Sequence, residues 1–336
     1  MSDICRVIQG DCREVLKTLP DESVQCCVTS PPYFQLRDYH VDGQLGLEKT
    51  PSDFIREMVK VFTEVRRVMK KDATLWVNMG DSYASAWGCS RRSTVGNGSC
   101  PLTERVNRLT GTLKEKDMVG MPWMLAFALR DEVGLHLRCD VIWHKPNPMP
   151  ESVTDRPTKS HEYLFLFSKQ EKYFYDAEAI LEPCSPNTNL RVSQNVAAQI
   201  GSTRANGGAK TNGNMKAVVR GGVNPKAKEN ATGSRQNESF SAAVAGPVTN
   251  RNKRSVWTVP TKGFSGAHFA TYPPELITPC ILAGTRPGDV VLDPFAGSGT
   301  TGEVALELGR RFLGIELNPE YIKLIEQRTR QTGFPL

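Results

Sequence analysis

From Asp289 to Arg330 the chain alternates strand-like and helix-like pieces, and this run constrains the fold more than any other feature. A strand over Asp289–Asp293 leads into the turn Asp293-Pro-Phe-Ala-Gly-Ser-Gly-Thr-Thr301. A helix from about Thr300 to Leu308, a strand over Arg311–Glu316 and a last helix from Pro319 to about Arg330 follow. Strand–helix–strand units of this length build a parallel sheet with helices on its faces. Glycines at such a turn let the backbone come close to a ligand, and the following helix N-terminus favours a negative group. Glu316 ends the next strand, 316 − 293 = 23 residues after Asp293, a spacing suited to an acid that binds ribose hydroxyls. The pairing of this turn with Glu316 points to a nucleoside cofactor.

The first half reads in the same way. Val7–Gln9 is a short strand candidate, a helix follows from Cys12 to Leu19, and Ser23–Thr29 is a compact apolar run of strand length. Pro51 suits a first helical turn, and Phe54, Met58, Val61, Phe62, Val65 and Val68 recur at helical spacing as far as Met69. Ala73–Met79, Leu137–Trp143 and Tyr163–Phe167 are further buried strands, and a helix is expected from Pro273 to Gly284. The expected fold is therefore α/β, a doubly wound and mostly parallel sheet.

Strand 23–29 ends in Thr29-Ser-Pro-Pro-Tyr33. Two consecutive prolines fix a stiff turn at a strand's carboxyl end, where open α/β sheets place ligands. Ser30 and the Pro31 carbonyl are acceptors for an amino group, and Tyr33 offers a flat face beside them. A proline turn that merely ends a strand over a packed tyrosine is the plainer reading of the same residues. Phe34 is read equally as a second wall or as core.

The net charge of +6 is unevenly spread. Between Cys184 and Ser255 eleven Lys or Arg face only Glu229 and Glu238, so this stretch carries 11 − 2 = +9 and the rest of the chain sums to 6 − 9 = −3. Gly, Asn and Ser fill the segment, and Phe240 is its one aromatic residue. A polyanion partner and a solvated linker both suit that composition. A smaller polar insert lies between Ser85 and Lys116. The nine cysteines include no Cys-x-x-Cys pair, and Cys26 and Cys27 sit in an apolar run, which predicts reduced core thiols and no metal. With no leader-like start and no bilayer-length apolar run, the expected location is the cytoplasm.

Together the two turns resemble the amino-methylating DNA methyltransferases, in the permuted order that sets the Thr-Ser-Pro-Pro-Tyr motif before the Asp-Pro-Phe-Ala-Gly-Ser-Gly-Thr motif. The resemblance covers most of the chain outside 184–255. Gly10-Asp11-Cys12 looks like the family's N-terminal cofactor-contacting turn, and Leu75–Asp81 like the strand that follows the catalytic one. Trp143-His-Lys-Pro-Asn-Pro-Met-Pro150 resembles the segment flanking the target base. His268-Phe-Ala-Thr-Tyr-Pro-Pro-Glu-Leu-Ile277 resembles the stretch that helps hold the methionine end of the cofactor.

The resemblance implies a Rossmann-like sheet of the class I methyltransferase type with an inserted target-recognition region. Residues 1–183 form its catalytic part, 184–255 the DNA-contacting insert and 256–336 the cofactor-binding part. The methyl donor is S-adenosylmethionine, the partner double-stranded DNA, and a homodimer and a bacterial or phage restriction–modification setting come with the family. Catalysis falls to Ser30, Pro31, Pro32 and Tyr33. Cofactor binding falls to Asp11 (opposite the adenine ring), Cys12, His268, Pro273, Asp293, Pro294, Phe295, Gly297, Ser298, Gly299, Thr300, Glu316 and Asn318. DNA contacts fall to Arg191, Arg204, Lys210, Arg220, Lys226, Arg235, Arg251, Lys253 and Arg254. His144 and Lys145 beside Trp143 could touch the target base or DNA, although a lone His after a strand is more often structural, and Trp257 reads as packing against the sheet or as a cofactor-pocket wall.

Serine at the first position of the tetrapeptide resembles cytosine-N4 methylators. The wider context, Phe34–Tyr39 and Gly43–Glu48, resembles solitary and phage-borne enzymes in which adenine is a frequent target. That context tips the expectation to adenine-N6, with cytosine-N4 as the alternative. More distant alternatives are RNA or glutamine side chains as substrates, and an inactive DNA binder.

Overall fold

In a computed structural model, residues 4–36, 38, 41–84, 112–184, 250–261 and 272–331 are described. The chain divides into two compact units, Met1–Ile180 with Arg254–Leu336, and Leu181–Lys253.

The first unit holds strands β1 (Cys5–Gln9), β2 (Val24–Thr29), β3 (Met69–Met79), β4 (His136–His144) and β5 (His161–Ser168). It also holds β8 (Val256–Thr258), β9 (Val290–Asp293) and β10 (Arg311–Glu316). The second unit's described residues include β6 (Glu182–Pro183) paired antiparallel with β7 (Asn250–Arg251). The helices are α1 (Cys12–Val15), α2 (Pro51–Val68), α3 (Met121–Asp131), α4 (Pro274–Gly284), α5 (Thr300–Glu307) and α6 (Pro319–Gln331).

The eight strands of the first unit form one sheet in the order β1-β10-β9-β2-β3-β5-β4-β8. Every neighbouring pair is parallel except those made by β5, which runs antiparallel to both β3 and β4. The chain leaves β2 through α2 towards β3 on one side, and leaves β9 through α5 towards β10 on the other. The strand order therefore reverses between β2 and β9, whose carboxyl ends open a crevice of the kind in which α/β sheets bind ligands.

The core follows from the two-residue period of the central strands. Cys27, Leu75, Val77, Phe165 and Leu292 face one side, where they pack with Phe54, Met58, Phe62 and Val65 of α2 and Leu125 of α3. Cys26, Val28, Trp76, Leu164 and Val291 face the other, against Leu276, Ile277 and Cys280 of α4 and Val304 of α5. Thr50 caps α2 by accepting the Asp53 amide at 3.1 Å, and Pro51 takes the first turn, where no amide is needed. Full burial of each large α2 side chain is worth about 1.5–3 kcal/mol.

The expected strands and helices recur with small shifts. The helix expected over Cys12–Leu19 is α helical only to Val15 and tightens to a 3-10 turn over Leu16–Thr18. Helix α3 is not among the elements expected from sequence, because its apolar residues lie on most of its surface and leave a weak stripe. The cysteines among the described residues are free, with Cys26 and Cys27 fully buried. No helix among the described residues is long and apolar enough to cross a membrane. Among them, no group of three or more His, Cys, Asp or Glu is set to hold a metal ion.

Candidate active site

The crevice is lined by both turns. Ser30, Pro31, Pro32 and Tyr33 face the same cavity as Asp293–Ser298, Thr300, Glu316 and Asn318, with Gly10, Asp11 and Cys12 closing one end. Strands β2 and β9 are hydrogen-bonded neighbours, Cys27 opposite Leu292, which brings together segments far apart in sequence.

Asp293 is the hub of that junction. It is 2 % exposed, and its Oδ1 accepts the Thr29 hydroxyl at 2.7 Å and the Phe295 amide at 3.1 Å. Its Oδ2 accepts the hydroxyls of Thr301 at 2.6 Å and Tyr272 at 3.2 Å. Burial pushes the Asp293 carboxyl up, against the pull of these donors. With four donors on two oxygens it shapes the turn from behind and has little left to offer a ligand. Arg328 of α6 donates to the Ser298 carbonyl at 2.9 Å, bracing the turn from the far side.

Glu316 accepts the Gly297 amide at 2.8 Å through one oxygen and the Asn318 amide at 2.8 Å through the other. Burial pushes its carboxyl up to about 7, partly offset by these amides. Each oxygen keeps a lone pair for a hydroxyl in the cavity. Asp11 caps α1 and is gripped by its neighbour Arg13, whose Nη2 lies 2.6 Å away. Burial alone would raise the Asp11 carboxyl, but the hydrogen bonds and charge of Arg13 outweigh it and hold it low. Arg13 also reaches the Gly43 carbonyl at 3.0 Å and Glu57 at 3.1 Å, fixing the loop that adds Val41, Gln44 and Leu45 to the cavity wall. Cys12 is buried, and burial raises its thiol to about 12, so it meets the cavity as a neutral apolar group.

Two expected cofactor residues stand back from the cavity. Pro273 is buried as the N-cap of α4, and its neighbour Tyr272 lines the wall instead. Gly299 has φ +82°, and an added Cβ would lie 3.0 Å from Ile325 side-chain carbons, so it serves the turn's tight packing. His268 lies outside the described residues, as do Arg191, Arg204, Lys210, Arg220, Lys226 and Arg235. Arg251 pairs with Glu182 across β6 and β7 at 2.8 Å, so an acid already partners this guanidinium. The Arg254 carbonyl accepts the Trp257 indole N–H at 2.6 Å.

Around Tyr33 the structure adds partners that sequence reasoning missed. Its hydroxyl donates to Glu162 Oε2 at 2.7 Å, and Lys145 Nζ lies 2.5 Å from Glu162 Oε1. Asn78 Oδ1 is a second acceptor near the Tyr33 hydroxyl, at 3.4 Å. Gly80 permits this approach, because a Cβ there would come 2.9 Å from Tyr33 Cε2. Phe34 turns away into the core against Phe54, with ring centroids 5.9 Å apart. Trp257 packs on Trp76, centroids 6.3 Å apart. Trp143 is held by the Val259 carbonyl at 2.8 Å and His144 by Thr258 at 3.1 Å, so both serve the β4–β8 edge.

A family described as DNA methylase, the N6/N4 amino-methylating group, matches residues 24–327. The chain belongs to that family. Its members transfer a methyl group from S-adenosyl-L-methionine to an exocyclic amino nitrogen in DNA, so DNA replaces the RNA and glutamine readings. Over 322 residues the chain is 44% identical to the type II methyltransferase M.XycI of Xanthomonas campestris pv. cyanopsidis, which covers 96% of this chain and 86% of that one. It is 41% identical to the type II methyltransferase M.SmaI of Serratia marcescens over 324 residues, 96% of this chain and 90% of that one. These relatives set the methyltransferase among restriction–modification enzymes. Its fold is shared with a Thermus thermophilus protein solved in complex with S-adenosyl-L-methionine, at TM-score 0.56, 24% identity and 98% coverage of both chains. It is shared also with the PvuII DNA methyltransferase, at TM-score 0.60 and 17% identity, over 98% of this chain and 87% of that one.

Such a cofactor suits the cavity on chemistry alone. It has an acid with free lone pairs at Glu316, apolar walls from Val41, Leu45, Phe295 and Leu317, and a turn at Gly297 (φ +52°) free of side-chain bulk. Those features match a ribose, a purine ring and an amino-acid tail in turn.

Proposed function

We propose that Ser30, Pro31, Pro32 and Tyr33 are the catalytic residues of this DNA methyltransferase, acting on a base turned out of the duplex. The supporting observation is that these four residues and the Asp293–Thr300 turn share one cavity at the switch point of the sheet. A base amino group is a poor nucleophile because its lone pair is delocalised into the ring. Ser30 Oγ and the Pro31 carbonyl accept its two N–H groups and favour a more tetrahedral nitrogen. Tyr33 supplies a ring face for the extruded base, which is out of reach within the stack. S-adenosyl-L-methionine, when bound, supplies a methyl already activated by the sulfonium. The chain's part is alignment and electrostatics, and no covalent cysteine adduct is needed. Glu316 holds the ribose hydroxyls, and the basic segment 184–255 holds DNA phosphates.

For the base, we infer cytosine-N4, with adenine-N6 as the second reading. Ser30, the cue for cytosine, lines the cavity. Part of the context that favours adenine serves packing: Phe34 is in the core, and the Gln35 amide donates to the Glu48 carbonyl at 3.0 Å. Tyr39 lies outside the described residues. Unmethylated genomic DNA, treated with the protein and labelled cofactor and then digested to nucleosides for mass spectrometry, tests this reading. N4-methylcytosine is expected; N6-methyladenine overturns the choice of base, and label confined to other positions overturns the reaction. Homodimer formation and a cytoplasmic location, both proposals from family resemblance, are checked by sedimentation and by fractionation.

A further inference from the structure

We propose that Met149 is a wedge that enters the DNA stack beside the target and holds open the gap left when the base turns out. This rests on the reading that the base is turned out of the duplex towards Tyr33.

The loop that carries Met149 is rooted at the candidate active site. It joins β4 to β5, whose last rungs pair Trp143 with Glu162 and His144 with His161. Glu162 accepts the Tyr33 hydroxyl at 2.7 Å, so one root of the loop lies beside the proposed base pocket. Near the other root, the Lys159 ammonium donates to the Asp81 carbonyl at 3.0 Å. Asp81 follows Gly80, where a Cβ would lie 2.9 Å from Tyr33 Cε2. Met149 stands four residues beyond Lys145, which keeps its Cα within about 14 Å of that root. The major groove is about 12 Å wide, so a tip with this reach can meet the duplex whose base occupies the pocket.

The loop is braced, yet its apolar tip is left bare. Pro146, Pro148 and Pro150 fix their own φ and restrict the residue before each, which stiffens the path from Lys145 to Pro150. Asn147 is locked to Thr261, donating to its carbonyl at 3.0 Å and accepting its amide at 2.9 Å. Beyond the tip, Glu151 accepts Arg156 at 2.6 Å and the Lys159 amide at 3.2 Å. The Arg156 guanidinium in turn sits 3.9 Å from the Tyr83 ring centroid. Between these anchors Met149 is 83% exposed, the most of any large apolar side chain among the described residues. Holding it in water forgoes the gain of burial, which is recovered when the side chain slides between base pairs. Methionine suits that task, being unbranched, polarizable and favourable against aromatic rings. Apolar wedges of this kind part base steps in other DNA-binding proteins. The family acts on DNA, so stacked bases are the apolar surface that reaches this face.

The test is methyl transfer to two duplexes that carry the target site, mapped beforehand by sequencing genomic DNA methylated by the wild-type protein. In one the target is paired; in the other it faces an abasic position and needs no unpairing. Met149→Ala should lower kcat/KM on the paired duplex by about tenfold or more and stay within about twofold of wild type on the other. Met149→Leu should keep most of the activity on both, and cofactor affinity should be unchanged in both variants. An unchanged rate on the paired duplex overturns the proposal. So does a loss of equal size on both duplexes, as a Met149 packed against protein would give. A fluorescent analogue at the target position, 2-aminopurine for adenine or pyrrolocytosine for cytosine, separates the two levels. It should brighten on binding wild type and less with Met149→Ala. If it brightens equally with both, only the wedge fails; if it stays dark with wild type, the turned-out base fails and the wedge with it.

Discussion

The Thr29 hydroxyl donates to the Asp293 carboxylate across 2.7 Å, joining two residues that are 264 positions apart in the chain. Thr29 ends the strand that leads into Ser30, and Asp293 ends the strand that leads into the glycine-rich turn. One buried hydrogen bond thus registers the proposed catalytic turn against the proposed cofactor turn. Thr29→Val keeps the shape, removes the donor and leaves an Asp293 lone pair unmet. It should cost about 1–3 kcal/mol of stability, read by denaturant unfolding, and should lower kcat more than it weakens cofactor binding. Thr29→Ser should restore both.

If Glu316 holds the ribose as proposed, its raised carboxyl predicts cofactor binding that is sensitive to pH near neutrality. Burial raises this carboxyl from an ordinary 4.5 to about 7. Between those values the folded chain binds a proton that the unfolded chain has released, so this group's contribution to stability falls as pH rises through about 7. Affinity for the cofactor runs the other way, because the ionised form is the better acceptor for ribose hydroxyls. Calorimetric titration from about pH 6 to about pH 8 should show tightening of severalfold, absent in Glu316→Gln. A flat wild-type profile contradicts the ribose assignment.

Gly299 holds a left-handed backbone at φ +82° beneath Ile325. Gly299→Ala adds a methyl within 3.0 Å of Ile325 carbons and strains the backbone at once. A loss of about 1–3 kcal/mol is expected. Thermal unfolding measures it, and cofactor at saturating concentration should recover part of the lost Tm.

The two turns are legible in the sequence because glycine and proline punctuate strand ends, and their chemistry is written in consecutive residues. Glu162 and Arg13 are invisible there for the opposite reason. Glu162 meets Tyr33 from 129 positions away, and Arg13 meets Glu57 from 44. An acid directly before the apolar run of β5 is the one available sign of Glu162. In sequence Asp293 and Asp11 read as ligand contacts; their hydrogen-bonding capacity goes largely to Thr29, Thr301 and Tyr272 in one case and to Arg13 in the other. Helix α3 escapes because a helix buried on most of its surface has no polar face to mark its period.

The charge of segment 184–255 predicts strong salt dependence of DNA binding. Neutralising Lys210, Lys226 and Arg235 to glutamine should weaken duplex binding similarly across sequences. The slope of log K against log salt should shrink by about 0.9 for each phosphate that is no longer neutralised. Cofactor affinity should be unchanged. Fluorescence anisotropy at several salt concentrations checks this, and an unaltered slope contradicts the proposed role of these side chains.

The most direct test of the central claim is methyl transfer by Tyr33→Ala and Ser30→Ala beside wild type, with cofactor affinity measured on the same preparations. The predicted result is cofactor binding close to wild type in both variants, with transfer of labelled methyl to duplex DNA reduced by about two orders of magnitude or more. Wild-type transfer rates in either variant, with the cofactor bound normally, would contradict that residue's catalytic role.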